Sequence, residues 1–492
     1  MVEFLTVPAA NTPIKFGTDG WRGVIGADFT FTRVALVAPL AAQVLAELYA
    51  DITQSNVVIV GYDRRFLAED FAAVAAKAIQ EAGFDVLLSE CYAPTPAFSW
   101  AAKQQNALGA IVLTASHNPA AYLGLKVKGY FGGSVSPEVT KKIEALLDAP
   151  SHAGGMGKAS RSPGKLEKFN PWPSYCQGLQ AKVNLAQIQK ALESKQLTVF
   201  ADVMHGAAAG GLAEILGMPV QEVNSNRDPL FGGGAPEPLP RYLSQLFRKM
   251  RGSRRSHPDT LSVGFVFDGD SDRIAAVDGQ GNFLSSQALI PILIEHLAKR
   301  KGWKGEVVKT VSGSDLMPKI AELYGLPVFE TPIGYKYIGD RMLEVPVLVG
   351  GEESGGIGYG THIPERDALL SALYLLEAVV ESHKDLGELY SGLQQQTNFF
   401  AAYDRIDLPL ASMEVRTKLL EQLQNQPLKE IAGQPVIDCN PVDGYKFRLK
   451  DNRWLLIRFS GTEPVLRLYC EANTLKDVHQ TLNWAKDWAN QF

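Results

Sequence analysis

Three aspartates at alternate positions, in Asp268-Gly-Asp-Ser-Asp-Arg273, are the sharpest chemical signal in the chain. Their carboxylates would repel one another in so tight a loop unless a cation sat among them, and oxygen-only ligands suit a hard ion such as Mg2+. An EF-hand is excluded, because its twelfth position, counted from Asp268, must be Glu and Gly279 stands there. Asp268, Asp270 and Asp272 leave coordination positions open, as a metal that also grips a phosphate requires. An Asp/Gly-rich turn capping the next element is the plainer alternative.

Two other loops carry reactive or anion-binding groups. In Thr114-Ala-Ser-His-Asn-Pro119, Ser116 follows a strand-like run, stands beside His117 and precedes a proline that bends the chain away. That gives a nucleophile its exposure, although the same residues also suit a helix-entry turn. In Arg458-Phe-Ser-Gly-Thr-Glu-Pro-Val-Leu-Arg467, two hydroxyls, a glycine and two arginines make a phosphate cradle, or else a hairpin with charged edges. Phe16-Gly-Thr-Asp-Gly-Trp-Arg-Gly23 places Arg22 in a glycine-rich turn, and Gly350-Gly-Glu-Glu-Ser-Gly-Gly356 offers Glu352, Glu353 and Ser354 to sugar hydroxyls. Lys126 and Lys336 are surface lysines, or charge partners and proton carriers for a phosphate.

Short apolar strands run straight into most of these loops. Val57–Val60, Ala110–Leu113, Thr198–Val203, Val263–Phe267 and Val345–Val349 are hydrophobic on both faces and alternate with helix-period segments such as Phe71–Ala82. The pattern predicts α/β units whose sheets are covered on both sides, with ligands at the carboxyl ends of the strands. The recurrence is a weak hint of triplication. After it, Trp454–Phe459 and Val465–Tyr469 predict a smaller α+β unit with a helical tail.

A chain of 492 residues implies three or four domains. The stretch Ala149–Pro173, rich in Gly, Ser, Pro and Lys, predicts the first boundary. The expected units are 1–163, 164–283, 284–397 and 398–492. Apolar runs fall short of the ~20 residues that cross a bilayer, and the N-terminus lacks a basic n-region, so no membrane span and a cytoplasmic location are expected. The four cysteines, Cys91, Cys176, Cys439 and Cys470, form no CxxC pair and predict indifferent thiols in a reducing compartment. A net charge of −5 gives no field for nucleic acid, and the basic run Arg248, Lys249, Arg251, Arg254 and Arg255 predicts an exposed connection.

Taken in order from Phe16 to Arg467, the five loops resemble the motif set of the α-D-phosphohexomutase superfamily, which includes phosphoglucomutase, phosphomannomutase and phosphoglucosamine mutase. The resemblance implies four domains around a central cleft, three related α/β units and a smaller α+β unit. It implies a phosphoserine at Ser116, and Mg2+ held by Asp268, Asp270 and Asp272 together with the phosphate on Ser116. Glu352 and Ser354 would read the sugar O3 and O4. Arg458, Ser460, Gly461, Thr462 and Arg467 would clamp the phosphate that is not reacting. Arg22, Lys126 and Arg273 would neutralise the transferring group, with His117 and Lys336 as proton-transfer candidates. The implied activity interconverts hexose 1-phosphate and hexose 6-phosphate through a bisphosphorylated sugar, with glucose 1,6-bisphosphate as activator or product. The mannose and glucosamine types usually read GEMSGH or GEQSGH, whereas Glu353 and Gly356 stand here, a form closer to phosphoglucomutase. Glucose phosphate is therefore favoured, mannose phosphate is the second candidate, and the missing histidine points to Lys336 as base. A glucose 1,6-bisphosphate synthase fed by a donor such as fructose 1,6-bisphosphate would share every named residue; a silent sugar-phosphate sensor would not need Ser116. Oligomeric state is not legible.

Overall fold

The computed structural model describes residues 13–149, 162–460 and 464–492. They form four sheets, of seven, five, four and six strands in chain order. The first three share one topology. In the first, Val57–Tyr62 lies between Asp85–Ser89 and Gly109–Leu113, parallel to both, and Gly109–Leu113 pairs antiparallel with Tyr122–Gly129. In the second, Leu197–Asp202 lies between Gln221–Val223 and Leu261–Phe267, and the last of these pairs back with Ile274–Val277. In the third, Glu306–Thr310 lies between Val328–Thr331 and Val347–Gly351, and the latter turns back into Ile357–Gly358. The hinted triplication is thus a repeated strand order, and each repeat carries one of the candidate loops between its third and fourth strands.

The fourth sheet is antiparallel throughout, in the order Ala402–Pro409, Val465–Ala472, Trp454–Phe459, Tyr445–Leu449, Gln434–Asn440, Glu430–Ile431. Leu475–Ala489 packs across it, its N-terminus capped by the Thr474 hydroxyl, which accepts from the Asp477 amide. The first three units share one continuous core, with Phe98, Phe265 and Leu373 in the same cluster, whereas the fourth keeps its own around Leu455, Leu468 and Leu482.

Three expectations change. The strand Leu166–Phe169, inside the stretch expected to be a boundary and beyond residue 163, joins the edge of the first sheet parallel to Asp85–Ser89. Main-chain pairing recruits it, and composition does not report pairing. The basic run is a helix, Ser244–Ser256, rather than a connection. Leu243, Leu246 and Met250 recur at helical spacing and are buried against the second sheet, while the cations point outward. Finally, Phe31–Thr53 is a 23-residue helix apolar enough to cross a membrane by length and composition. In the fold it is a core helix: Val34, Val37, Ala41, Val44 and Leu45 are buried in the first unit's cluster, and Gln43 and Glu47 face outward.

Candidate active site

Ser116 stands at the carboxyl end of Gly109–Leu113 in the left-handed region, φ +51°. A side chain held there costs about 1–3 kcal/mol, so its surroundings must enforce it. Thr114 Oγ1 donates to Asp63 Oδ2 at 2.6 Å and accepts from the Ser116 amide at 2.9 Å. The fully buried Arg65 guanidinium donates to four carbonyls of the same turn, those of Ser116 and Asn118 at 2.6 Å and of Pro119 and Tyr122 at 3.0 Å. Burial pushes the Asp63 carboxyl up to about 6, with Arg65 acting against it. The enforced turn aims Ser116 Oγ across the first interface, where it donates to Asp268 Oδ2 at 2.8 Å. A Cβ at position 269 would lie 2.4 Å from the Ser116 carbonyl, so glycine there permits the approach of the two loops.

The three aspartates converge as expected. They are fully buried, and one oxygen from each lies within 4.8 Å of the others. Asp270 Oδ2 accepts from Thr95 Oγ1 at 2.6 Å and Lys126 Nζ at 2.8 Å, and Asp272 Oδ2 accepts from Lys126 at 2.9 Å and Arg366 Nη2 at 2.7 Å. Their other oxygens, Asp270 Oδ1 and Asp272 Oδ1, are buried without a hydrogen-bond partner. Two orphaned carboxylate oxygens beside a third carboxylate, all hard donors, fit a divalent cation. Burial and the charges of Asp272 and Asp270 hold the Asp268 carboxyl well above its usual range. Burial would also raise Asp270, but Lys126, Thr95 and Arg366 outweigh it and hold that carboxyl low.

Lys126 is no surface lysine. It is fully buried, with Asp19 Oδ2 at 2.7 Å besides its two aspartate contacts. Burial opposes its charge, yet Asp19, Asp270 and Asp272 raise it above its ordinary value. His117 Nδ1 lies 3.3 Å from Ser116 Oγ. Burial, then Arg273 and Arg22, push its ring down to about 2, which leaves it neutral.

A cavity of about 920 Å³ opens in front of these groups, lined from all four units. Arg22 and His117 reach it from the first, Arg273 from the second, Lys336, Glu352 and Ser354 from the third, and Arg458 and Arg467 from the fourth. Arg22 also donates to Asn118 Oδ1. Lys336 Nζ sits 4.7 Å over the Tyr337 ring. Burial raises the Glu352 carboxyl, and Arg366, with Nη1 3.8 Å from Glu352 Oε2, opposes that. Arg458 and Arg467 pair directly across the ladder. Ser460 follows the strand Trp454–Phe459, and its carbonyl accepts from Arg416 Nε at 2.7 Å. Gly461 and Thr462 lie outside the described residues.

Sequence reasoning missed four residues. Asp19 stands in the turn that carries Arg22 and was within reach of the motif reading, whereas Arg65 follows the strand Val57–Tyr62 in no motif named above. Arg366, whose Nη2 donates to Asp19 at 2.6 Å and Asp272 at 2.7 Å, lay outside every quoted motif. Arg405 lines the cavity and is 3.3 Å from Glu353 Oε2.

Comparison with known proteins agrees with this geometry. Residues 13–153, 173–281 and 285–397 match the phosphoglucomutase/phosphomannomutase α/β/α domains I, II and III, and 414–483 match the C-terminal domain. The phosphoglucosamine mutase of Limosilactobacillus reuteri is 30% identical, over 94% of this chain and 95% of that one. The phosphoglucomutase/phosphomannomutase of Thermococcus kodakarensis is 27% identical, over 95% and 96%. A crystal structure from Thermus thermophilus that carries a phosphomannomutase name superposes with a TM-score of 0.82 at 32% identity, covering 97% of this chain and 99% of that one. With four domains matched in one order and relatives aligned over nearly its whole length, the chain belongs to the phosphoglucomutase/phosphomannomutase family of the α-D-phosphohexomutase superfamily.

Proposed function

We propose that the chain interconverts hexose 1-phosphates and hexose 6-phosphates, with glucose phosphate as the preferred pair and Ser116 Oγ as the phosphoryl carrier. The observation that supports this most is the 2.8 Å contact of Ser116 Oγ with Asp268 of the triad, directly beside His117, which lines the same cavity as Arg458 and Arg467. In the forward half, a sugar hydroxyl attacks the phosphorus on Ser116. The new P–O bond forms as the bond to Oγ breaks, and the hydroxyl proton passes to a base, for which Lys336 is the candidate that lines the cavity. The bisphosphorylated sugar then turns over, and its other phosphate returns a phosphoryl group to Ser116.

Asp268, Asp270 and Asp272 would hold Mg2+ with an oxygen of the Ser116 phosphate, and the ion would supply charge neutralisation to the transferring group. Arg22 and Arg273 bring further positive charge to the cavity wall, while Lys126 fixes the triad instead of meeting substrate. Glu352 and Ser354 offer acceptors to sugar hydroxyls, and Arg458 and Arg467 receive the spectator phosphate.

A second reading is favoured by the relatives, several of which are named phosphoglucosamine mutases. Purified protein with Mg2+ and a catalytic amount of glucose 1,6-bisphosphate, given the 1-phosphates of glucose, mannose and glucosamine in turn, separates these substrates. Fastest conversion of the glucose ester is expected. Fastest conversion of the glucosamine ester moves the assignment to that sugar, and net accumulation of glucose 1,6-bisphosphate from fructose 1,6-bisphosphate moves it to a synthase. Ser116→Ala and chelation by EDTA should each abolish turnover, and Mg2+ should restore only the second. Turnover that survives Ser116→Ala removes the proposal.

A further inference from the structure

Three arginines, not two, face the cleft from the fourth unit. Arg405 pairs across the ladder with Tyr469, Asp407 with Arg467, and Arg467 with Arg458. Alternate positions on a strand and directly opposed positions across a ladder share one face. The three guanidiniums therefore rise from the same side of the sheet, and all three line the one cavity.

Each has a carboxylate partner. Arg458 Nε is 3.0 Å from Asp443 Oδ1, Arg467 Nε is 4.0 Å from Asp407 Oδ1, and Arg405 Nη1 is 3.3 Å from Glu353 Oε2. Asp443 and Asp407 belong to the fourth unit itself. Glu353 comes from the third, between Glu352 and Ser354, and is thus the one of these three partners that ties the anion seat to the sugar loop.

We propose that Arg405 is a further phosphate-binding residue of this cleft and that Glu353 gates it, the carboxylate and an incoming phosphate dianion competing for the same guanidinium. The inference rests on the phosphohexomutase reading and assigns that site a residue and a control. The exchange is physically easy: the Arg405 side chain is 33% exposed and the Glu353 side chain 13%, so the pair is partly solvated, and a dianion offers more charge and a better match to the guanidinium fork. Its consequence is coupling. Phosphate arriving on the fourth unit frees the carboxylate next to Glu352, so occupancy of the phosphate end is reported to the sugar end, and a bisphosphate is held at both.

The test uses the full chain carrying Ser116→Ala, with Mg2+, so that binding is read without phosphoryl transfer. Calorimetry with glucose 1,6-bisphosphate should show that Arg405→Ala weakens binding about tenfold. Arg405→Lys should recover part of that loss. Glu353→Gln, which removes the competitor and keeps the shape, should tighten binding about threefold. Opposite signs are the signature, because a pair that merely braced the two units would weaken binding from either side. Loss of affinity in both variants, or no change in Arg405→Ala, overturns the proposal. Inorganic phosphate titrated into the same variants keeps the two ideas apart. If no hexose phosphate binds the Ser116→Ala chain, the phosphohexomutase reading falls, and the phosphate titration still decides whether Arg405 belongs to an anion seat.

Discussion

Arg65 shows how a fully buried residue can hold the candidate nucleophile in place. Its guanidinium spends itself on four backbone carbonyls of the Ser116 turn, and its Nε lies 3.5 Å from Asp63, which in turn takes the Thr114 hydroxyl. Replacing it with Met keeps an apolar stem but leaves buried carbonyls and a buried carboxyl unpaired, a loss of about 3–5 kcal/mol. It also frees a serine from a backbone conformation that only its surroundings sustain, and misplacement by ~1 Å costs about 100-fold in rate. Arg65→Met should therefore lower both the urea midpoint and kcat, with Arg65→Lys intermediate in each; a variant with wild-type kcat would show that the turn holds itself. The sequence exposed Ser116, the aspartates and the arginine pair because each announces itself within a few residues. Arg65 and Arg366 were silent for the opposite reason: Arg65 is satisfied by main chain, which has no sequence signature, and Arg366 reaches Asp19 across 347 positions.

At the scale of elements, the turn between third and fourth strands appears three times, carrying Ser116, the aspartates, and Glu352 with Ser354. Unbroken apolar runs made the strands legible, since a strand buried on both faces has no polar alternation to hide it. The repeat itself was barely visible, because strand order is a matter of pairing and not of composition. The helix Ser244–Ser256 was lost altogether, its three apolar positions masked by the surrounding cations. Its fixed side and its solvated side make separable predictions. Met250 is buried against the second sheet, and its sulfur would be 2.5 Å from a Cβ on Gly264, so Met250→Ala should cost about 2–5 kcal/mol in stability. Arg255→Gln, exposed and remote from the cleft, should stay within about 0.5 kcal/mol and leave turnover unchanged. Chemical unfolding of the two variants decides it: equal effects would mean that the segment is not docked as a helix.

Across the whole molecule, a length of 492 residues anticipated three or four units but not how the four are joined. Three share an apolar core, and the fourth meets the third through a small apolar cluster of Val311, Trp454, Leu456 and Tyr469 with a group of charges beside it. Lys309 and Asp315 with Glu330 come from the third unit, Lys446 and Arg448 from the fourth, and Lys446 reaches Asp315 across 131 positions. Lys446 Nζ is 3.3 Å from Asp315 Oδ1, 3.5 Å from Glu330 Oε2 and 4.4 Å over the Trp454 ring, while Lys309 holds the same two carboxylates at 3.0 and 3.1 Å. Burial opposes the charge of both lysines, but the carboxylates win for Lys309, which is held above its ordinary value. Lys446 is the loser: burial, then the neighbouring Lys309, push it from 10.5 down to about 8. In the folded chain it therefore gives up its proton near pH 8, whereas the unfolded chain keeps that proton until about 10.5. Between those values the unfolded state binds more protons, so this group makes folding more favourable as pH rises through the window. Lys446→Met keeps an unbranched stem over Trp454 and removes the titration. Urea midpoints measured at pH 7, 8.5 and 10 should rise more steeply for the native chain than for the variant, and the variant should be the more stable of the two at pH 7, where the native chain bears the cost of a charged, buried Lys446. Parallel pH profiles would mean that Asp315 and Glu330 satisfy both ammoniums, and that the junction between the third and fourth units carries no such charge conflict.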